Sequence, residues 1–159
     1  MRVAVVVTSE ALDGAAKALA EGVAATGETA ERVEEPGDYE LVFLGFETKP
    51  LKKDARLEAL VERADWQGRK VALFCVHSGK ARREETERVV TRLTEKGAKV
   101  VNTLNLEKTG GLLGMGGKLA EQEIFRARGF GERTVRNVKG MRVPAGTEKR
   151  DRIRGYARK

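Results

Sequence analysis

The chain has 159 residues and a mass of 17.5 kDa, the size of one domain that can bury a core without disulfides or metal. Hydrophobic residues make up 40% and charged residues 35%. That excludes a largely disordered chain, and no run approaches the roughly 20 apolar residues needed to span a bilayer. The net charge is +7, but residues 133–159 carry ten Lys or Arg against Glu148 and Asp151, so this end holds +8 and residues 1–132 sum to −1.

A single cysteine, Cys75, excludes an internal disulfide, and a single histidine, His77, argues against most catalytic metal centres. No metal site is expected. The N-terminus runs from Met1 straight into a valine-rich stretch with no leader pattern, so the expected location is cytoplasmic, with no integral membrane segment. Two Gln and three Asn beside so many charges is the composition of a heat-tolerant protein.

In chain order, residues 3–8 form a β-branched apolar run, the pattern of a strand buried on both faces. Residues 13–26 repeat Ala16, Leu19, Ala20 and Val23 at helical spacing, with Asp13 as a cap and Gly27 as a stop. Residues 29–33 make a weak strand, and Pro36-Gly37-Asp38 a turn. A second buried strand covers 40–46, and a helix over 54–64 aligns Leu57, Leu60, Val61 and Ala64. Residues 70–76 read as strand, 81–96 as helix, 99–106 as strand and 119–135 as helix. Between the last two, Gly110, Gly111, Gly114, Gly116 and Gly117 form a loop. Residues 136–159 read as a basic C-terminal tail beyond a domain at 1–135.

Strand and helix alternate, and the strands are too apolar to face water, so a parallel sheet covered by helices on both faces is predicted. Ligands of such sheets sit beyond the carboxyl ends of the strands. In the first loop, Ser9 and the backbone at Asp13-Gly14 present donors at a helix start, while Glu10 and Asp13 repel an anion. Phe46 reads either as core or as the flank of a planar ligand, followed by Glu47. Cys75 reads as inert packing. Val76, His77, Ser78 and Gly79 lead out of the next strand, but no nucleophile pairs with His77, so no catalytic residue is assigned. The glycine loop fails both the P-loop and the dinucleotide pattern. It reads as a plain loop or, with Lys118, as an anion site.

Three stretches resemble the flavodoxin-like family: Asp38-Tyr39-Glu40-Leu41-Val42-Phe43-Leu44-Gly45, Trp66-Gln67-Gly68-Arg69-Lys70-Val71-Ala72-Leu73-Phe74, and Glu123-Ile124-Phe125-Arg126-Ala127-Arg128-Gly129-Phe130-Gly131. The resemblance covers about residues 2–135. It implies an α/β fold: a three-layer, doubly wound parallel sheet of strand order 2-1-3-4-5. Only residues 34–40 separate the second and third strands, fewer than the dozen a parallel crossover usually takes, so the second helix is expected shortened or missing. The resemblance further implies FMN, held by Ser9, Asp13, Gly14, Phe46, Glu47, Val76, His77, Ser78 and Gly79, and electron transfer to a redox protein partner. The family's phosphate loop reads [ST]-x-T-G-x-T; here it is Ser9-Glu10-Ala11-Leu12-Asp13-Gly14, and only Ser9 matches.

Two functions are therefore in view: an FMN-binding electron-transfer module, and a flavin-free module of the same fold. In the second, the basic tail contacts nucleic acid or another anionic partner through Arg142, Lys149, Arg150, Arg152, Arg154, Arg158 and Lys159. A tail merely solvated, or folded onto the domain's own acidic face, is the bland alternative.

Overall fold

Val3–Val7 (β1) is a run of valine and alanine in which every residue is buried, and it is an interior strand of the sheet, one in from the edge. The structure, a computed structural model, describes residues 1–49, 53–77, 84–109 and 118–140. The other strands are β2 (Ala30–Arg32), β3 (Leu41–Thr48), β4 (Lys70–His77), β5 (Lys99–Thr109) and β6 (Lys118–Leu119). They lie in the order β2-β1-β3-β4-β5-β6. The first five are parallel in the expected order 2-1-3-4-5. β6 is an unexpected antiparallel addition pairing Lys118 and Leu119 with Thr109 and Lys108. Leu119, predicted to open the last helix, belongs to this strand instead.

Helices α1 (Asp13–Ala24), α2 (Ala55–Arg63), α3 (Glu84–Glu95) and α4 (Glu121–Val138) cover the sheet. The strand period of two divides the core. Val3, Val5, Leu41, Phe43, Ala72 and Phe74 pack under α1 and α4. Ala4, Val6, Val42, Leu44, Leu73 and Cys75 pack under α2 and α3. Phe43 and Phe130 of α4 meet edge-to-face at 5.8 Å, an arrangement the aromatic quadrupole favours. α4 runs on to Val138, three residues past the boundary the sequence suggested.

The connection from β2 to β3 carries no helix. The register explains how eight residues suffice. Ala30 and Leu41 both pair with Val3, and β2 is only three residues long. The chain returns about 7 Å along the strands and crosses about 10 Å of sheet. It is pinned at both ends, by Val33 N–H donating to Val5 O (3.0 Å) and Glu40 N–H donating to Arg2 O (2.9 Å). Val33 and Tyr39 pack against the α2/α3 core in place of a helix. Arg63 and Arg56 of α2 reach across to Glu35 and to Glu34.

Candidate functional site

Among the described residues, polar side chains of the chain itself bridge the carboxyl edge of the sheet, where β1, β3, β4 and β5 end. The first loop is built around Ser9. Its Oγ accepts from Ala11 N–H (3.2 Å), and its carbonyl accepts from Leu12 N–H (3.1 Å). These bonds wind Glu10–Leu12 into a 3-10 turn ahead of α1 and drive Leu12 wholly into the core. Asp13 does not cap the helix as predicted: it is the first helical residue, and its carboxylate takes Arg32 of β2 at 2.5 Å. The 3-10 turn capped by Ser9 runs straight into α1, which starts after Leu12 with no side-chain cap of its own. Gly14 lies on α1 with Ile124 of α4 as its neighbour, 3.5 Å from where a Cβ would stand.

On β3, Phe46 is only 1% exposed and belongs to the core, so its ring has no free face. Glu47 is the buried charge of the rim. Its Oε1 accepts from Ser9 Oγ (3.2 Å) and lies 3.8 Å from Lys49 Nζ. Its Oε2 accepts from Lys108 Nζ at 2.8 Å. Lys108 stands on β5, so its side chain passes over the end of β4 to reach β3. With 4% of its side chain exposed, the charge of Glu47 is offset by the cations and the hydroxyl around it.

A second polar chain runs along the α2/α3 face. Thr48 and His77 are register partners. Thr48 Oγ1 lies 2.8 Å from His77 Nδ1, and His77 Nε2 lies 2.7 Å from Asn105 Oδ1. Thr86 of α3 donates to the same amide oxygen at 2.9 Å. An acceptor at Asn105 Oδ1 calls for a proton on Nε2, so both ring nitrogens of His77 have a partner. Cys75 Sγ sits 4.0 Å from His77 Nδ1, but burial pushes its thiol up to about 12. It is no thiolate at neutral pH, and no nucleophile–base pair results. Val76 has its side chain in the core beneath the rim.

Beside this rim, a cleft of about 300 Å³ is lined by Thr8, Ser9, Glu47, Lys49, Lys53, Asp54, Ala55 and Arg56. Asp54 caps α2 by accepting from Leu57 N–H (3.0 Å) and also takes the Thr8 hydroxyl. A smaller groove of about 210 Å³ continues along α2, past Ala59, Leu60 and Arg63, to Glu34 of the helix-free connection.

Of the residues predicted for FMN, Ser9 and Glu47 come into contact with each other, and His77 joins the separate Thr48–Asn105 chain. Ser78 and Gly79 lie outside the described residues, as do the glycine loop and every tail cation from Arg142 to Lys159. Lys108, Asn105 and Thr86 were missed. Strand parity carried the first of these: Leu104 and Leu106 point inward, so Lys108 continues their face. The described residues do not fit FMN where the resemblance puts it. The first-loop N–H groups of Ala11 and Leu12 are consumed by Ser9, Glu10 adds negative charge, no described aromatic is free at the rim, and a carboxylate–ammonium pair crosses it. Among the described residues no cluster of His, Cys, Asp and Glu could hold a metal, and no helix is long and apolar enough to cross a membrane.

No family model matches the chain, and no curated protein does. Solved structures do. A flavodoxin from the domain Archaea superimposes with a TM-score of 0.65 at 15% identity, covering 87% of this chain and 99% of that one. Flavodoxin 2 from Bacillus cereus gives 0.62 at 19% identity, covering 86% and 99%. A flavodoxin of Streptococcus pneumonia TIGR4 gives 0.66 at 10%, also covering 86% and 99%. The fold is flavodoxin-like.

Proposed function

We propose that this chain is a flavin-free binding module on a flavodoxin-like scaffold, with its basic C-terminal segment as the contact to an anionic partner of the nucleic-acid class. The observation that carries the flavin-free half is the Lys108–Glu47 bridge across the carboxyl rim, backed by Ser9. A ring entering there would break a buried ion pair, and a phosphate at the first loop would meet spent donors and the Glu10 carboxylate. Two like charges at contact distance oppose binding by about 1 kcal/mol even in water, and by several-fold more where solvent is scarce. The binding half rests on the segregation of charge, +8 in residues 133–159 against −1 in the rest.

The test is a pair of titrations on the full chain. Flavin fluorescence is expected to stay unquenched as protein is added to FMN, and the protein to purify without yellow colour. Single-stranded nucleic acid is expected to bind with a log–log salt slope of up to about −5, from seven cations at roughly 0.7 per phosphate neutralised. Quenching with a visible flavin spectrum would establish the competing reading, an FMN-dependent electron carrier with a redox protein partner, which the flavodoxins among the similar structures favour. Absence of nucleic-acid binding at low salt would remove the partner half.

A further inference from the structure

Three of the four parallel crossovers in the sheet are covered by a helix: α1 between β1 and β2, α2 between β3 and β4, α3 between β4 and β5. The fourth, residues 33–40, has none, and the flank of α2 beside it is a groove lined by Glu34, Ala55, Arg56, Ala59, Leu60 and Arg63, in which Arg56 and Arg63 are paired with Glu34 and Glu35. Charge marks the same place. Residues 28–40 hold six carboxylates (Glu28, Glu31, Glu34, Glu35, Asp38 and Glu40) against one cation, Arg32, for a net −5. Glu31, Glu34, Glu35 and Asp38 are exposed. The carboxylates of Glu31 and Asp38 have no partner among the described residues, and that of Glu34 is 87% exposed despite its contact with Arg56.

The end of α4 lies against the start of this segment. Lys139 Nζ donates to Glu28 at 2.5 Å, and Glu28 also holds the N-terminal ammonium at 3.2 Å. Gly140, at φ +72, turns the chain off the helix there. Beyond it, residues 141–159 carry seven cations and two acids, net +5. Nineteen residues reach up to roughly 60 Å when extended. The acidic connection is only around the β2 edge, because β2 is the outermost strand on that side.

We propose that residues 141–159 dock on this chain's own acidic connection, residues 31–38, in the place a crossover helix fills in the other three. Opposite charge (−3 over residues 31–38 against +5 over residues 141–159), an exit point tied to Glu28, and a groove beside the target select this occupant over a second copy. The contact is electrostatic and exposed, so it yields to salt and to a competing polyanion. A polyanion binding the tail would displace it from the domain. The inference concerns the tail of the proposed function but does not require that any nucleic acid binds.

The experiment uses the full chain. A water-soluble carbodiimide joins carboxylates to amines in contact, and peptide mass spectrometry of the monomer reads the links. Lys149 or Lys159 is expected to be linked to Glu31, Glu34, Glu35 or Asp38, with the links lost at high salt. Glu31→Lys with Asp38→Lys, both exposed changes, is expected to leave the thermal melt in place and to speed tryptic cleavage after Arg150–Arg158 by about fivefold, because a released tail is cut faster. Links confined to covalent dimers, links to other acidic surfaces, or no links with equal cleavage of both proteins would each overturn the proposal. Because cross-linking is read without nucleic acid, its result is independent of the partner titration.

Discussion

Lys108 on β5 and Glu47 on β3 meet at 2.8 Å across the end of the strand that separates them. Their side chains are 17% and 4% exposed, so neither charge is well hydrated. Removing one partner of a buried pair costs more than removing both, because the survivor keeps its desolvation without its counter-charge. Lys108→Met is expected to lower stability by about 2–3 kcal/mol, discounted from the usual 3–5 because Lys49 and Ser9 still face the carboxylate. Glu47→Gln with Lys108→Met is expected to recover at least half of that loss. Urea unfolding midpoints of the three proteins measure it, and a double variant no better than Lys108→Met would show that the pair is not coupled.

The sheet was legible because its strands are apolar on both faces: Val3–Val7 and Leu41–Phe46 admit no other reading in a chain this polar. The missing helix was legible from counting, since residues 34–40 cannot hold one. The rim was only half legible. Ser9, Glu47 and His77 stand where the loops begin, so position alone singled them out. Lys108, the partner of Glu47, sits on the end of β5, which runs to Thr109, three residues longer than periodicity indicated. Polar residues at a strand end look like loop until their neighbours are known. β6 was invisible for a related reason, because two residues carry no period.

A helix contact with no room for a methyl group is the most direct test of packing. A Cβ on Gly22 of α1 would lie 1.9 Å from the carbonyl oxygen of Arg128 in α4, and one on Gly131 would lie 2.3 Å from Leu19 O. Both obstacles are backbone, so neither helix can yield without moving as a body. Gly22→Ala gains about 1 kcal/mol of helix propensity and loses about 3 kcal/mol or more to overpacking. A net loss of about 2 kcal/mol is expected, read as a lower thermal midpoint. Gly27→Ala is the control. Its Cβ meets nothing within 4 Å, and only its φ of +90 resists substitution, so about 1 kcal/mol is expected.

Cys75 tests whether the core around the rim is closed. Its side chain is fully buried between β3 and α3 residues, and burial holds the thiol near 12 against an ordinary 9.0. Reactivity requires the thiolate and access, and here both are withheld. The native protein is expected to leave a thiol reagent unconsumed over hours at pH 8 and to consume one equivalent on unfolding. Rapid native labelling would mean that the Cys75–His77 region opens, and it would undo the inert reading of Cys75.

The last prediction concerns acid. Burial acts to raise the Glu58 carboxyl, but hydrogen bonds and charge from Arg88 and Arg92 outweigh it and hold the group below its ordinary 4.5. The contacts are 2.6 Å to Arg88 and 2.5 Å to Arg92, and Arg92 continues to Glu62 at 2.9 Å, tying α2 to α3. A carboxyl whose folded value is depressed contributes stability that is fully present above its unfolded value and is lost as pH falls through the folded one. Glu58→Gln is therefore expected to be less stable than the parent by about 1 kcal/mol at neutral pH, with the gap closing as pH drops below 4.5. Paired melts across that range decide it. A gap that persists at the acid end would assign the loss to shape or hydrogen bonding instead of charge. A gap that widens on heating toward the melt would match the expected temperature dependence of ion-pair networks, whose desolvation cost falls as temperature rises.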